Sequence, residues 1–325
     1  EVLSFQQIGV DSQFANISNT ALSQDKYLCI REVSDTDSYV VIVDLQNNNN
    51  VTKHKMKADT AVMHPSRNII ALRGASMIQV FDLNQKQRLN SFQLPEGQVV
   101  NYWKWIDDQT LAFIAGGSVF HWSIAGQSNP MPIFQLQPQL ASGSVMSYSV
   151  SHDQQWLAVS GLVREGENTV GKVQLFSRER NVSQVIDAYA ASFANIGSLP
   201  LLVFASKANG SMRLNIFSLG ATPQAQQFGK KYVDLPMAPD AQADLPLHLI
   251  ISQHYSSAFL FTKLGYLYCV EIETPFVYIS ARVSQSPFTH AALARDGSVI
   301  ALSRDGRMSK FGLNNASIID YIATK

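Results

Sequence analysis

No stretch of this chain approaches the roughly 18 consecutive apolar residues that a membrane-spanning helix needs. Neither sign of charge is in excess: Lys plus Arg number 25, and so do Asp plus Glu. A neutral chain lacks the basic field that releases counterions from nucleic acid, so no nucleic-acid partner is expected. Cysteine is scarce. Cys29 and Cys269 each sit in an apolar run (YLCI, YLYCVEI), the pattern of buried free thiols in a reducing compartment. Their spacing does not suit zinc. The seven histidines (His54, His64, His121, His152, His248, His254 and His290) are scattered, with no i, i+4 pair for a metal-binding helix. A G-x-S-x-G elbow, an H-E-x-x-H pair, a Walker loop and a dinucleotide fingerprint are all missing. No metal, cofactor or catalytic activity is therefore expected. No amphipathic 3.6-residue pattern persists for three turns within residues 1–313. The chain begins at Glu1 without a basic n-region or a long apolar h-region, so no signal peptide is visible, and it reads as a piece of a longer protein.

What is present is β-structure. Residues 69–88 (IIALRGASMIQVFDLNQKQR) hold two apolar runs around a Gly-containing break, the signature of a hairpin. The second arm alternates: Ile78 and Val80 point one way, Met77, Gln79 and Phe81 the other. A polar Gln79 between large apolar groups, with Lys86 and Arg88 just beyond, is unusual for a plain core strand. It fits the lining of a groove for an extended peptide.

Copies of this paired run begin near Tyr27, Ile69, Thr110, Trp156, Leu201, Ala258 and Val299. By subtraction, successive starts lie 41 to 57 residues apart. Seven strand-only repeats of that period predict an all-β, seven-bladed β-propeller. Gly116-Gly117, Asn209-Gly210 and Asp305-Gly306 supply turns that tolerate positive φ. Three polar insertions read as connections: residues 46–57 (QNNNNVTKHKMK), 125–144 with Pro130, Pro132 and Pro138, and 221–246. The clusters Lys53, Lys55, Lys57 and Lys230-Lys231 read as solvated loop charges. The expected division is a propeller over residues 1–313. Residues 314–325 would then start a helical linker, with Ser317 as N-cap.

Ordered segments carry a family resemblance. They include DKYLCIRE (25–32), ADTAVMHPS (58–66), WKWI (103–106), VFHWS (119–123), VQLFSRERNVSQVID (173–187), AASF (190–193) and FTKLGYLYCVEIET (261–274). In this order and spacing the chain resembles the N-terminal β-propeller of clathrin heavy chain, from about Phe5 onward. The resemblance implies a non-catalytic domain of a coat protein in the cytoplasm, peripheral on coated pits and vesicles. It implies binding of short linear motifs from adaptor and accessory proteins, and membrane contact only through them. Light chains and other heavy chains would be met through regions outside this chain.

The resemblance also implies sites. A clathrin-box groove between blades one and two maps onto Ile70, Gln79, Phe81, Lys86 and Arg88. Ile70 and Phe81 would make apolar pockets, Gln79 would bond the peptide backbone, and Lys86 and Arg88 would meet its acid. His54 replaces a usual Arg and Met77 a usual Thr, and both shift motif preference. An arrestin-type groove between blades four and five maps onto Trp156, Leu175, Arg180, Val182 and Gln184. A site for Trp-containing motifs maps onto Ile17, Ser144, Met146 and Leu162. There Ile17 and Ser144 replace the usual Phe and Gln, which removes an aromatic wall and an amide.

Two other readings compete. A hydrolase or lyase needs converging acids or histidines, which the scattered histidines do not supply. A generic interaction propeller of the tryptophan-aspartate repeat kind needs G-H and W-D signatures, which these repeats lack.

Overall fold

The structure is a computed structural model, and it describes residues 1–74, 76–314, 316 and 319. It is a seven-bladed β-propeller: seven separate sheets of four antiparallel strands. Blade 1 comprises Thr20–Ser23, Tyr27–Val33, Ser38–Asp44 and Asn50–Lys55. Blade 2 comprises Thr60–Met63, Ile69–Arg73, Met77–Asp82 and Gln87–Gln93. Blade 3 comprises Val100–Trp105, Thr110–Ala115, Ser118–Ser123 and Met131–Gln135. Blade 4 comprises Ser144–Val150, Trp156–Glu165, Asn168–Ser177 and Val182–Ile186. Blade 5 comprises Ala190–Ile196, Leu199–Ala208, Ser211–Ser218 and Lys230–Asp234. Blade 6 comprises Pro246–Ser252, Ser257–Thr262, Tyr266–Glu271 and Phe276–Arg282. Blade 7 comprises Phe288–Leu293, Val299–Ser303, Arg307–Phe311 and, as its fourth strand, Leu3–Ser4 from the start of the chain.

Two compact units are resolved. One is Glu1–Gln135 with Thr289–Arg295 and Ile300–Lys310; the other is Leu136–Phe288 with Asp296–Val299 and Phe311–Lys325. The helical start expected over residues 317–324 lies, apart from Ile319, outside the described residues.

In every blade the two arms seen in the sequence are the second and third strands. Their burial explains the legibility. Val299–Ser303 and Ser257–Thr262 are buried at every position, so they read as continuous apolar-rich runs. The fourth strands are half-exposed, and three of them lie inside segments that read as connections. Asn50–Lys55, Met131–Gln135 and Lys230–Asp234 occupy the three polar insertions. Lys53, Lys55, Lys230 and Lys231 are thus strand residues rather than loop charges. Lys53 pairs with Glu32 and Lys55 with Asp37, while Lys231 Nζ donates to the Glu273 carbonyl at 2.6 Å.

The insertions also hold two short helices, Pro138–Ala141 and Pro223–Phe228. The second starts on Thr222, whose Oγ1 accepts from the Ala225 N–H at 3.1 Å, with Pro223 at the first helical position. At the turns, Gly116-Gly117 and Asn209-Gly210 have positive φ at both residues, whereas in Asp305-Gly306 only the glycine does.

Apolar clusters fill the seams between sheets. Tyr27, Cys29, Val40 and Ile42 of blade 1 meet Ala61, Met63 and Ile70 of blade 2. Ile69, Ala71, Ile78 and Val80 of blade 2 meet Trp105, Leu111, Phe113 and Trp122 of blade 3. The expected alternation of residues 77–81 therefore holds, with Ile78 and Val80 directed at blade 3.

A buried polar latch accompanies the second seam. His64 is wholly buried, its ring centroid 4.9 Å from that of Trp105. Its Nδ1 accepts from the backbone N–H groups of Ser66 (3.1 Å) and Arg67 (3.0 Å). Its Nε2 lies 2.9 Å from the Asp108 carbonyl oxygen and 3.3 Å from Arg67 Nε.

Candidate peptide-binding grooves

Sheet register decides which side chains can share a groove, because partners on adjacent strands project from the same face. On blade 2, Ile70 is opposite Phe81, and Phe81 is opposite Arg88. Gln79 is opposite Leu72 and Ser91, and Met77 is opposite Gln93. Phe81 and Leu72 pack on the cluster shared with blade 1, so this whole set faces blade 1. On blade 1, His54 is opposite Val40, a member of the same cluster, and so faces blade 2. The close contacts between the two sheets run from the first and second strands of blade 1 to the first strand of blade 2. Towards the third and fourth strands the surface opens: Met77, Gln79, Phe81 and His54 are half-buried, and Arg88 is exposed. Lys86 is exposed at the turn before Arg88, with φ of 53°. The Asp82 carboxylate holds that turn by accepting from the N–H groups of Asn84 and Gln85, both at 2.9 Å.

Ile70 takes a different place from the one expected. It is on the second strand, has no exposed surface and lies within the blade 1–2 cluster. It supports Phe81 and does not itself form a pocket open to solvent. Gln79 and Phe81 stay partly open. Among the described residues neither Lys86 nor Arg88 has an ion pair, while Lys53 and Lys55 of blade 1 are each paired with an acid. The face thus offers an apolar floor, a central amide and two uncommitted cations.

Blade 4 repeats the arrangement. Trp156 is opposite Ser177, which is opposite Val182; Leu175 is opposite Ala158 and Gln184. Leu175 and Trp156 belong to a cluster with Leu202, Phe204 and Phe217 of blade 5, so this face looks towards blade 5. Val182 is 55% exposed, Gln184 and Arg180 are exposed, and Trp156 is half-buried. Leu175, at 8%, is floor in the same way as Ile70. A depression of about 480 Å³ at Ser76 and residues 93–99 contains none of these side chains.

No protein-family model matches the chain. Individual relatives do. The clathrin heavy chain of Drosophila melanogaster is 32% identical over 332 residues, covering 100% of this chain and 20% of that protein. A probable clathrin heavy chain of Schizosaccharomyces pombe is 32% identical over 329 residues, covering 99% and 20%. Clathrin heavy chain 2 of Oryza sativa subsp. japonica is 33% identical over 346 residues, covering 100% and 20%. The chain belongs to the clathrin heavy-chain family. It corresponds to the N-terminal propeller region and spans about one fifth of the length of the curated relatives it matches. A solved chain from the "Crystal Structure of Mitotic Checkpoint Complex" is similar with a TM-score of 0.64 at 13% identity, covering 94% of this chain and 89% of its own. That likeness concerns the fold alone.

In this clathrin heavy-chain propeller the third expected site is divided between the two compact units. Ile17 belongs to the first and is 58% exposed. Ser144, Met146 and Leu162 belong to the second, where Ser144 and Leu162 are paired across the first two strands of blade 4 and Met146 sits at a register shift. What the sequence does not reveal is the blade 5 side of the blade 4–5 groove. Phe193 and Phe217 pack on its floor, and Lys230 is opposite Phe217.

Proposed function

We propose that this domain is a non-catalytic docking module of a clathrin coat, which holds short linear motifs of adaptor and accessory proteins in grooves between blades. One observation carries this reading. Gln79, Phe81 and Arg88 share the face of blade 2 that looks at blade 1, partly open, with Lys86 and Arg88 unpaired among the described residues. An extended peptide with alternating aliphatic residues and an acidic end matches that surface. Its apolar groups settle on Phe81 and its backbone bonds the Gln79 amide, while the carboxylate meets the cations. The blade 4–5 groove, with Trp156, Val182, Gln184 and Arg180, serves a second, arrestin-box class of motif.

Grooves this small bind weakly, at micromolar to millimolar Kd, about −8 to −4 kcal/mol. Recruitment then depends on many copies acting together within a coat. Family membership supports a cytoplasmic location, with contact to coated pits and vesicles made through adaptors. Light chains and other heavy chains are partners of regions outside this chain.

The test is calorimetric titration of a synthetic peptide with alternating Leu residues and a terminal Asp-Glu pair. Gln79→Ala combined with Lys86→Glu is expected to weaken binding at least about tenfold, or about 1.4 kcal/mol. Unchanged affinity rejects the blade 1–2 assignment.

A further inference from the structure

Blade 5 carries an aromatic surface that the blade 4 residues leave unexplained. Tyr232, on the fourth strand, is 58% exposed. Register places it opposite Asn215, with Lys230 opposite Phe217 and Asp234 opposite Arg213. Phe217 packs on the cluster shared with blade 4, in T-shaped contact with Phe204 at 5.0 Å. Lys230, Tyr232 and Asp234 therefore project on the blade 4 side of the sheet, the side to which Val182 and Gln184 look from the opposite wall.

Tyr232 is also held in place. The Arg213 guanidinium lies 4.1 Å from its ring centroid. That guanidinium is fixed by two bonds to Asp234, Nε to Oδ1 at 2.7 Å and Nη2 to Oδ2 at 3.2 Å. Asn215 beneath is buried and satisfied, its amide donating to Ser206 Oγ at 2.9 Å. Arg213 is thus a neutralised backing plate, and the exposed part of the ring has no partner ring among the described residues. The acid on this wall is consumed by Arg213. Lys230, 5.0 Å above the Phe217 ring, has no ion pair among the described residues, and neither has Arg180 in the turn before the fourth strand of blade 4.

We infer that Tyr232 and Lys230 form the second wall of the blade 4–5 groove and select an extended peptide carrying an aromatic residue two positions from an Asp or Glu. The spacing follows from strand geometry. Residues i and i+2 of a strand project from the same face about 6.5–7 Å apart, and an extended ligand has the same repeat. A ligand ring lying against Tyr232 then brings the carboxylate of its i±2 neighbour to Lys230. Charge at Lys230 favours the acid, since Asp234 on the same wall is held by Arg213. This inference rests on the proposed peptide-binding role of the blade 4–5 groove and names the ligand class that groove prefers.

Two synthetic capped peptides, one with Glu-x-Phe and one with Glu-x-Leu in the same flanks, are titrated into the full 325-residue chain. The Glu-x-Phe peptide is expected to bind tighter by about three- to tenfold, an aromatic-pair increment. Tyr232→Ala should abolish that preference and Tyr232→Phe should keep it. Lys230→Glu should weaken both peptides, and replacing Glu by Gln in the peptide should remove the effect of Lys230→Glu. Val182→Asp, on the blade 4 wall, reports on the groove itself. If Val182→Asp weakens binding while Tyr232→Ala leaves the Phe-over-Leu preference intact, the second wall is overturned and the groove stands. If neither peptide binds, or if Val182→Asp changes nothing, the groove and the inference fall together. Unchanged melting curves for the Tyr232 and Lys230 variants, both on an exposed edge strand, separate these outcomes from misfolding.

Discussion

A histidine that must stay neutral makes stability depend on pH. Burial is the largest influence lowering the His64 pKa below its usual value. The Asp108 carbonyl pushes it up, and Arg67 pushes it down again. Burial likewise lowers His248, whose Nε2 is 3.0 Å from the Phe288 carbonyl. With folded pKa values depressed, the unfolded chain binds more protons once pH falls below the ordinary histidine pKa of about 6.5. Stability is therefore highest above that pH and falls as the solution is acidified through it, by at most about 1.4 kcal/mol per pH unit for each histidine. Urea midpoints measured between pH 7.5 and 5.5 should show the decline, and His64→Gln should make it shallower. Cysteine gives a second residue-level test. Burial raises the Cys29 thiol to about 12 and Cys269 further still. Neither should react with a thiol reagent at pH 8 until denaturant is added.

At the scale of single elements, the approach of blade 5 to blade 4 hinges on Gly171, on the third strand of blade 4. A Cβ there would stand 2.5 Å from the Ala188 carbonyl oxygen and 2.6 Å from Tyr189 Cα. Both are backbone atoms of the segment entering blade 5, so Gly171→Ala forces the two sheets apart. A loss of about 1–3 kcal/mol is expected, read as a lowered urea midpoint.

This scale also shows what the sequence could and could not disclose. Middle strands are covered on both faces, so they appear as apolar runs, and a search for paired runs finds the middle of all seven sheets. Edge strands such as Lys230–Asp234 alternate polar with half-buried residues and blend into the connections around them. Alternation tells which face a side chain takes but not its depth. Ile70 and Phe81 share a face, yet the first is on the second strand and sealed, the second on the third strand and partly open. The register of a fourth strand on a neighbouring sheet leaves no local mark, so Tyr232 has no signal in the chain from which its role across from Val182 could be read.

Across the molecule, the seventh sheet joins the two ends of the chain. Leu3 is opposite Met308 and Ser4 opposite Arg307. Leu3 and Phe5 are each 1% exposed, and Phe5 packs within 3.0 Å of where a Gly306 Cβ would be. Removing residues 1–5 withdraws two buried side chains, worth about 1.5–3 kcal/mol apiece, and leaves the strand Arg307–Phe311 as a bare edge. A lower denaturation midpoint and concentration-dependent aggregation are the expected results, measured by urea titration and light scattering.

That seam has a temporal side. During ribosomal synthesis Met308 follows its partner Leu3 by some three hundred residues. Leu3 and Phe5 can settle early on Leu28, Ile30, Val41 and Val43, but until Met308 arrives the seventh sheet cannot be completed by any local folding event. Such a long-range pairing is slow to form. The nascent chain should therefore depend on helper proteins that cover the unpaired segment Leu3–Ser4, and a stall in translation before Met308 should leave a product marked for degradation.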